Sequence, residues 1–152
     1  MKKITAVFIA LLILLSSLFI SASAVSEKQG IDALRAQFAD GESVLDYVYY
    51  SPVGNNDDTK YPLVVWLHGN SSGDYPGHQL DNCNIALWSS EEYQSRFDGT
   101  GGAYLLLPRY PTSGLLSVAW EGTTNNLKKT IDDFIKKHHD NIDVNKIYIG
   151  GY

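Results

Sequence analysis

The stretch Asn145-Lys146-Ile147-Tyr148-Ile149-Gly150-Gly151-Tyr152 decides the fold, and it stands at the end of the 152-residue sequence. Its β-branched and aromatic residues favour a buried strand, because such side chains pack well on a pleated surface. The two glycines that follow indicate that the backbone either turns sharply or approaches another group closely. A buried strand of this kind needs a neighbour on each side. The pattern therefore predicts a sheet around this strand and further chain after Tyr152.

Buried-type strands and amphipathic helices alternate upstream of this stretch. Strands are predicted at 44–50, 61–67 and 103–107, and helices at 26–38, 85–97 and from 123 or 124 to about 138. Turns are predicted at 40–43 and 98–102, and residues 140–145 are predicted to connect the last helix to the final strand. The near-continuous apolar run at 61–67 is typical of a strand covered on both faces. This alternation predicts an α/β fold class with a mostly parallel sheet and flanking helices.

The first 24 residues have the features of a bacterial-type signal peptide. Lys2 and Lys3 give a positive start, residues 6–20 are apolar apart from two serines, and Ala22-Ser23-Ala24 suits a signal peptidase. A transmembrane anchor is the alternative, but the apolar core is short for a bilayer span. We therefore predict a secreted, extracellular protein that is cleaved near Ala24 and has no stable membrane anchor. The remaining residues 25–152 are enough for one modest domain but not for two.

Charge and residue spacing limit the partners of this chain. Removing Lys2 and Lys3 with the leader takes the formal charge from −5 to −7, which argues against nucleic acid as a partner. The four histidines lack the spacing of a metal site, and residues 140–145 lack the central glycine and closing glutamate of a calcium loop. No metal or cofactor is expected. Cys83 is the only cysteine, and its redox state stays open.

The ordered motifs resemble those of a known superfamily. A strand ending in Leu67-His68-Gly69 is followed by a strand ending in Leu107-Pro108, a helix, and Asp143-Val144-Asn145-Lys146-Ile147-Tyr148-Ile149-Gly150-Gly151-Tyr152. In order and spacing, this set looks like the N-terminal half of an α/β-hydrolase. It is most similar to secreted esterases related to the prolyl-oligopeptidase and phospholipase/carboxylesterase branches. The resemblance covers 44–152.

The resemblance implies an incomplete α/β-hydrolase fold, truncated after the strand that leads to the nucleophile elbow. That elbow has the pattern Gly-x-Ser-x-Gly, and Gly151 and Tyr152 match its first two positions. The serine would be residue 153, and the acid and the histidine follow the serine in this fold. The resemblance therefore assigns no catalytic residue to this chain, which is expected to be inactive by itself.

The resemblance also implies one half of an oxyanion hole. A backbone N–H at Gly69 or Asn70 is expected to bind the developing negative charge, since glycine lets the backbone come close. The alternative is that Gly69 is only a turn glycine after a strand. His68 is expected to shape this loop rather than to act as the general base. Tyr110 and Trp120 follow the next strand and are expected to line a substrate pocket, because α/β sheets bind ligands beyond their carboxyl strand ends.

The expected parent protein is a serine carboxylic-ester hydrolase that acts by acyl transfer. Its substrate would be a small-molecule or polysaccharide-linked ester. A peptidase similar to prolyl oligopeptidase and a non-catalytic binding module on the same scaffold are alternatives, because fold does not dictate function. A third is a gene fragment without its own function. For the 152-residue chain we also expect poor solubility, since the superfamily's sheet places the final strand in its middle.

Overall fold

The computed structural model describes residues 30–53, 58–69, 78–80, 85–110 and 124–151. The chain divides into two compact units, Met1–Ala33 and Leu34–Tyr152, and only residues 30–33 of the first are described. The second unit contains the sheet. In the part of the chain that the structure describes, no helix has the length and apolar character needed to cross a membrane.

The described residues form five strands and three α-helices. The strands are β1 (Ala39–Gly41), β2 (Tyr47–Tyr50), β3 (Tyr61–Leu67), β4 (Tyr104–Pro108) and β5 (Ile142–Gly151). The α-helices are α1 (30–35), α2 (Glu91–Gln94) and α3 (Thr124–Lys137), and two short 3-10 helices cover His78–Leu80 and Ile85–Ser89.

The five strands form one mixed sheet in the order β1-β2-β4-β3-β5. β3 pairs in parallel with β4 on one side and with β5 on the other, whereas β1 with β2 and β2 with β4 are antiparallel. Parallel neighbours require crossover connections, and α2 and α3 lie in the two that join β3 to β4 and β4 to β5. This architecture confirms the predicted α/β fold class.

Both faces of the sheet are covered by apolar side chains, because successive residues of a strand point to opposite faces. On β3, Leu63 and Val65 belong to the core that contains α3, whereas Val64 belongs to the core that contains the 3-10 helix Ile85–Ser89. β4 divides in the same way, with Leu106 on the first face and Leu105 on the second. The continuous apolar runs of β3 and β4 thus follow from burial on two sides.

Helix α3 forms where the sequence predicts it. Its stripe of Leu127, Ile131 and Phe134 is buried against the sheet. Thr130 on the same face is fully buried, and its Oγ1 accepts a hydrogen bond from the Leu45 N–H at 3.0 Å. This contact satisfies a buried backbone donor and fastens the segment before β2 to the helix.

The prediction of one continuous helix at 85–97 is wrong. The structure has a 3-10 helix at Ile85–Ser89 and a separate four-residue helix α2. Ser90 lies between them in extended backbone, and its side chain accepts a hydrogen bond from the Tyr93 N–H. An N-cap needs non-helical backbone, so the serine that starts α2 also ends the preceding helix. The predicted turn at 40–43 is partly wrong as well, because β1 pairs with β2 there.

β5 begins five residues before the predicted strand core at Ile147. Tyr61 of β3 pairs with Ile142, whereas Leu63 already pairs with Ile147, so the register shifts between these two pairs. Between these two pairs, β5 contains three more residues than β3 does. Regular pairing resumes at Ile147. The predicted connection 140–145 is therefore mostly strand.

Within the described residues, the two glycines near the end of β5 allow β5 to approach β3 closely and do not form a turn. Both lie in the strand, with Gly150 paired with Trp66 and Gly151 with Leu67. A Cβ on Gly150 would lie 2.7 Å from Cζ3 of Trp66, and one on Gly151 would lie 2.8 Å from the Leu67 carbonyl oxygen. Of the two possibilities that the sequence left open, the structure has the close approach.

Substitution of Gly151 tests this packing. Gly151→Ala is expected to lower the free energy of unfolding by about 1–3 kcal/mol, because the added methyl group meets backbone that cannot rotate away. Gly30→Ala is the matched control, since a Cβ there meets nothing within 4 Å, and it should leave stability unchanged or slightly higher. Urea unfolding measures both. Equal unfolding midpoints for the two variants would contradict the close approach.

His138 gives the fold a pH dependence. Its ring lies among those of Tyr49, Tyr104 and Phe134, at centroid distances of 5.4, 5.4 and 4.5 Å. Its buried Nε2 has no hydrogen-bond partner among the described residues. Burial, and secondly the charge of Lys137, lowers the pKa of His138 below its ordinary value of 6.5. The folded state therefore disfavours the charged form more than the unfolded chain does.

This pKa shift predicts stability that is complete above about pH 6.5 and declines as the pH falls towards the lowered pKa. His138→Phe should remove this component, because phenylalanine keeps a ring in the aromatic cluster and cannot be protonated. His139→Gln, at an exposed neighbour, should leave it unchanged. Denaturant unfolding between about pH 7.5 and pH 5 measures the effect. The same pH slope in wild type and His138→Phe would refute the assignment.

One side of β5 pairs with no other strand in the part of the chain that the structure describes, and this predicts self-association. β5 ends the strand order, and Val144, Tyr148 and Ile149 are 59%, 55% and 61% exposed. Residues 147–151 contain neither charge nor proline, which are the features that usually protect an edge strand.

We expect the 152-residue chain to form oligomers, and Ile149→Lys to shift it towards monomer, as measured by size exclusion with light scattering. Val53→Lys adds the same charge at an exposed residue that is not in β5, and it should have no such effect. A monodisperse wild-type monomer would contradict the prediction.

Candidate functional site

The candidate site lies at the edge of the sheet where the parallel strands β3, β4 and β5 have their carboxyl ends. Neighbouring parallel strands bring the loops that follow them to one edge, and α/β sheets bind ligands there. His68 and Gly69 follow β3, Tyr110 follows β4, and Gly151 ends β5. Four residues singled out by the sequence thus share this carboxyl edge.

Both ring nitrogens of His68 are engaged. The side chain is only 7% exposed. Its Nε2 accepts a hydrogen bond from the Tyr110 N–H at 3.0 Å, and its Nδ1 lies 2.8 Å from the Gly69 carbonyl oxygen. A backbone N–H can only donate, so Nε2 must carry the lone pair. In the neutral ring the proton is then on Nδ1, which donates to Gly69.

This arrangement determines what His68 can do. A general base needs an accessible lone pair, and the one on Nε2 is occupied by Tyr110. The ring instead joins the loop after β3 to the loop after β4, which are 42 residues apart in sequence at this contact. The geometry is that of a residue that holds loops in place.

The residue before Tyr110 fastens the exit of β4 on its other side. The Arg109 N–H donates to the Asp46 carbonyl oxygen at 2.7 Å, and the Arg109 guanidinium forms an ion pair with the Asp46 carboxylate. Asp46 directly precedes β2. Consecutive residues therefore tie the end of β4 to both of its neighbours, β2 and β3. The sequence carries no local signal for this pair, because its members are 63 residues apart.

A small pocket of about 200 Å³ lies beside the Asp46–Arg109 pair, and most of its lining surface is apolar. Gln79 in its lining is 3% exposed and donates from Nε2 to the Leu107 carbonyl oxygen at 3.4 Å. The lining has three carboxylates and one guanidinium, so its formal charge is negative. The lining residues are Asp40, Gly41, Glu42, Asp46, Tyr47, Val48, Gln79 and Arg109. Sequence analysis did not identify this pocket, because its residues come from four separate segments.

The end of β5 lies next to the predicted oxyanion loop. Gly151 pairs with Leu67, the residue immediately before His68. Trp66, which packs on Gly150, also contacts Trp88 with ring centroids 4.9 Å apart. These contacts hold Gly151, the last described residue of β5, beside the end of β3, where the loop after β3 begins.

Three predicted site residues, Asn70, Trp120 and Tyr152, lie outside the described residues. Within the described ranges, no group of three or more histidine, cysteine, aspartate or glutamate side chains could hold a metal ion.

Comparisons with known proteins identify similar solved structures. No known family profile matches the sequence, and no curated protein matches it significantly. A thermostable esterase known from its crystal structure is 26% identical, with a TM-score of 0.62 over 78% of this chain and 35% of its own. Thermogutta terrifontis esterase 2, in a form phosphorylated by paraoxon, is 14% identical, with a TM-score of 0.50 over 76% of this chain and 43% of its own.

This chain therefore spans less than half the length of either esterase. The sheet and its flanking helices match the part that is shared. We conclude that the chain has an α/β-hydrolase-like fold of the kind found in these esterases.

Proposed function

We propose that this chain is the N-terminal half of a secreted serine hydrolase that cleaves carboxylic esters. The observation that carries the proposal is the pairing of Gly151 with Leu67. It brings the strand that resembles the approach to a nucleophile elbow beside the loop that resembles an oxyanion loop. The likeness to a thermostable esterase at 26% identity supports the same chemistry.

The strand geometry is suited to acyl transfer. Neighbouring strands are about 4.8 Å apart, so a residue just beyond Gly151 would emerge within a few ångströms of the loop that begins at His68. A serine at position 153 would attack the ester carbonyl there. The tetrahedral oxyanion would be bound by the N–H after the serine and by an N–H at Gly69 or Asn70.

The remaining groups of the mechanism would come from beyond residue 152. A histidine, oriented by an acid, would accept the serine proton and return it to the leaving alcohol, and water would then hydrolyse the acyl-enzyme. The residues of this 152-residue chain would hold the groups of the site in place and would not transfer protons. Acyl transfer by a serine needs neither metal nor organic cofactor, and we propose none.

The charged side chains in the lining of the pocket beside the Asp46–Arg109 pair support a hydroxylated substrate. A hydroxyl group both donates and accepts hydrogen bonds, and the pocket offers carboxylate acceptors beside the Arg109 and Gln79 donors. The substrate would be a small-molecule or polysaccharide-linked ester rather than nucleic acid, whose phosphates the net negative charge repels. Export through residues 1–24, with cleavage near Ala24, would bring the protein to such substrates.

Reading the gene about 30 bases past codon 152 tests the proposal, because the elbow pattern would continue there as serine, any residue, glycine. The full-length protein encoded by the complete gene should hydrolyse p-nitrophenyl acetate and react covalently with a fluorophosphonate probe. Replacing that serine by alanine should abolish both activities.

The 152-residue chain should do neither above a heat-denatured control. Hydrolysis by this chain would refute the assignment of the nucleophile. Another residue at position 153 would favour the binding module, and a stop codon would indicate a fragment without catalytic function. Preference for a peptide bond over an ester would indicate a peptidase.

A further inference from the structure

We propose that the pocket beside the Asp46–Arg109 pair binds the primary ammonium group of a small organic molecule. Two observations carry the inference: the pocket has an acidic lining, and that lining includes a buried hydrogen-bond acceptor without a partner. The inference deepens the proposed function and rests on it only for identifying the bound molecule as the substrate. The binding itself rests on the described residues of the pocket.

The buried acceptor is Oε1 of Gln79. The Gln79 side chain is 3% exposed, and its Nε2 donates a hydrogen bond to the Leu107 carbonyl oxygen. This bond fixes the amide group, but its Oε1 is buried and has no hydrogen-bond partner among the described residues. An unpaired buried acceptor costs free energy. A hydrogen-bond donor on a molecule bound in this pocket would remove that cost.

The charges of the lining favour a cation. The carboxylate of Asp46 forms an ion pair with the Arg109 guanidinium. The other two carboxylates of the lining, those of Asp40 and Glu42, form no ion pair with a described residue. The pocket therefore has two negative charges without a positive partner among its lining residues, and a positively charged group complements them.

Hydrogen bonding favours an ammonium group in particular. Carboxylates only accept hydrogen bonds, and so does the Oε1 of Gln79, whereas the donors of Arg109 and Gln79 already have partners. A primary ammonium group has three donors and no acceptor, so it matches this excess of acceptors. A molecule that carries both ammonium and hydroxyl groups would also fit the hydroxylated substrate of the proposed function.

The size and surface of the pocket indicate an organic cation. Within the described ranges, no three carboxylates or other metal-ligating side chains lie close enough together to hold a metal ion. Most of the lining surface is apolar, which suits carbon atoms beside the ammonium group, and a volume of about 200 Å³ limits the occupant to a small group. Tyr47 in the lining pairs with Pro108 at the end of β4, so the pocket lies at the same edge of the sheet as the candidate site.

Two probes of equal size test the proposal on the 152-residue chain. 2-Aminoethanol is cationic at about pH 7, and 1,2-ethanediol has a hydroxyl group in place of the ammonium group. Saturation-transfer NMR measures the binding of both, and it works equally well if the chain is oligomeric. We expect 2-aminoethanol to bind at millimolar concentration and the diol to bind at least about tenfold more weakly, because charge-assisted hydrogen bonds are the stronger ones. Raising the salt concentration should weaken the binding of the amine alone.

Substitutions then locate the binding. Asp40→Asn and Glu42→Gln each remove one exposed charge from the lining and should weaken the binding of 2-aminoethanol about two- to fivefold. Gln79→Leu removes the buried acceptor and should weaken it about tenfold. Glu91→Gln is the matched control, because Glu91 is an exposed carboxylate on α2 that does not line this pocket, and it should bind as wild type does.

Several results would overturn the proposal. These are equal binding of the amine and the diol, binding of neither probe, or the same affinity for 2-aminoethanol in wild type, Asp40→Asn and Glu42→Gln. If Gln79→Leu does not fold, the two surface variants still decide. Since no measurement requires hydrolysis, failure of ammonium binding leaves the proposed function standing, and a missing serine at position 153 leaves the ammonium site standing.

Discussion

β3 has a parallel partner on each side, and the rest of the structure depends on this pairing. A strand that is hydrogen-bonded on both edges and covered on both faces must be apolar throughout, as residues 61–67 are. Its two parallel neighbours need crossovers, which carry α2 and α3. The same parallel arrangement brings the ends of β3, β4 and β5 to one edge. The candidate site is therefore a consequence of how β3 is paired.

Close approach at the end of β3 adds a steric condition. A Cβ on Gly150 would clash with the Trp66 ring, and one on Gly151 would clash with the Leu67 carbonyl oxygen, so β5 can lie against the end of β3 only because both residues are glycine. The backbone at the end of β5 is thereby held beside the loop that starts with His68. Catalytic geometry tolerates errors of only about an ångström, so such rigid contacts suit a site that must be assembled from separate loops.

Hydrogen bonds beyond the strand pairing also hold the end of β4 in place. The exit of β4 is fastened to β2 through Arg109 and to β3 through Tyr110, and each contact satisfies a backbone N–H that the sheet leaves unpaired. His68 both accepts and donates a hydrogen bond in these contacts. A sequence motif could suggest this residue as a general base, but its ring nitrogens bind backbone groups instead. Asp46 and Arg109 also line the small pocket beside this pair. The loops after β3 and β4 are thus parts of one connected network.

The sequence by itself determined the elements whose signal is local and periodic. The apolar runs predicted β3 and β4, and the stripe of Leu127, Ile131 and Phe134 predicted α3. Their alternation predicted the α/β class. Only the tertiary structure decided the features that depend on distant partners. β1 forms because it pairs with the edge of β2, and β5 begins at Ile142 because that residue pairs with Tyr61 of β3. The roles of His68 and Arg109 follow from contacts across 42 and 63 residues, which leave no pattern in any short window of sequence.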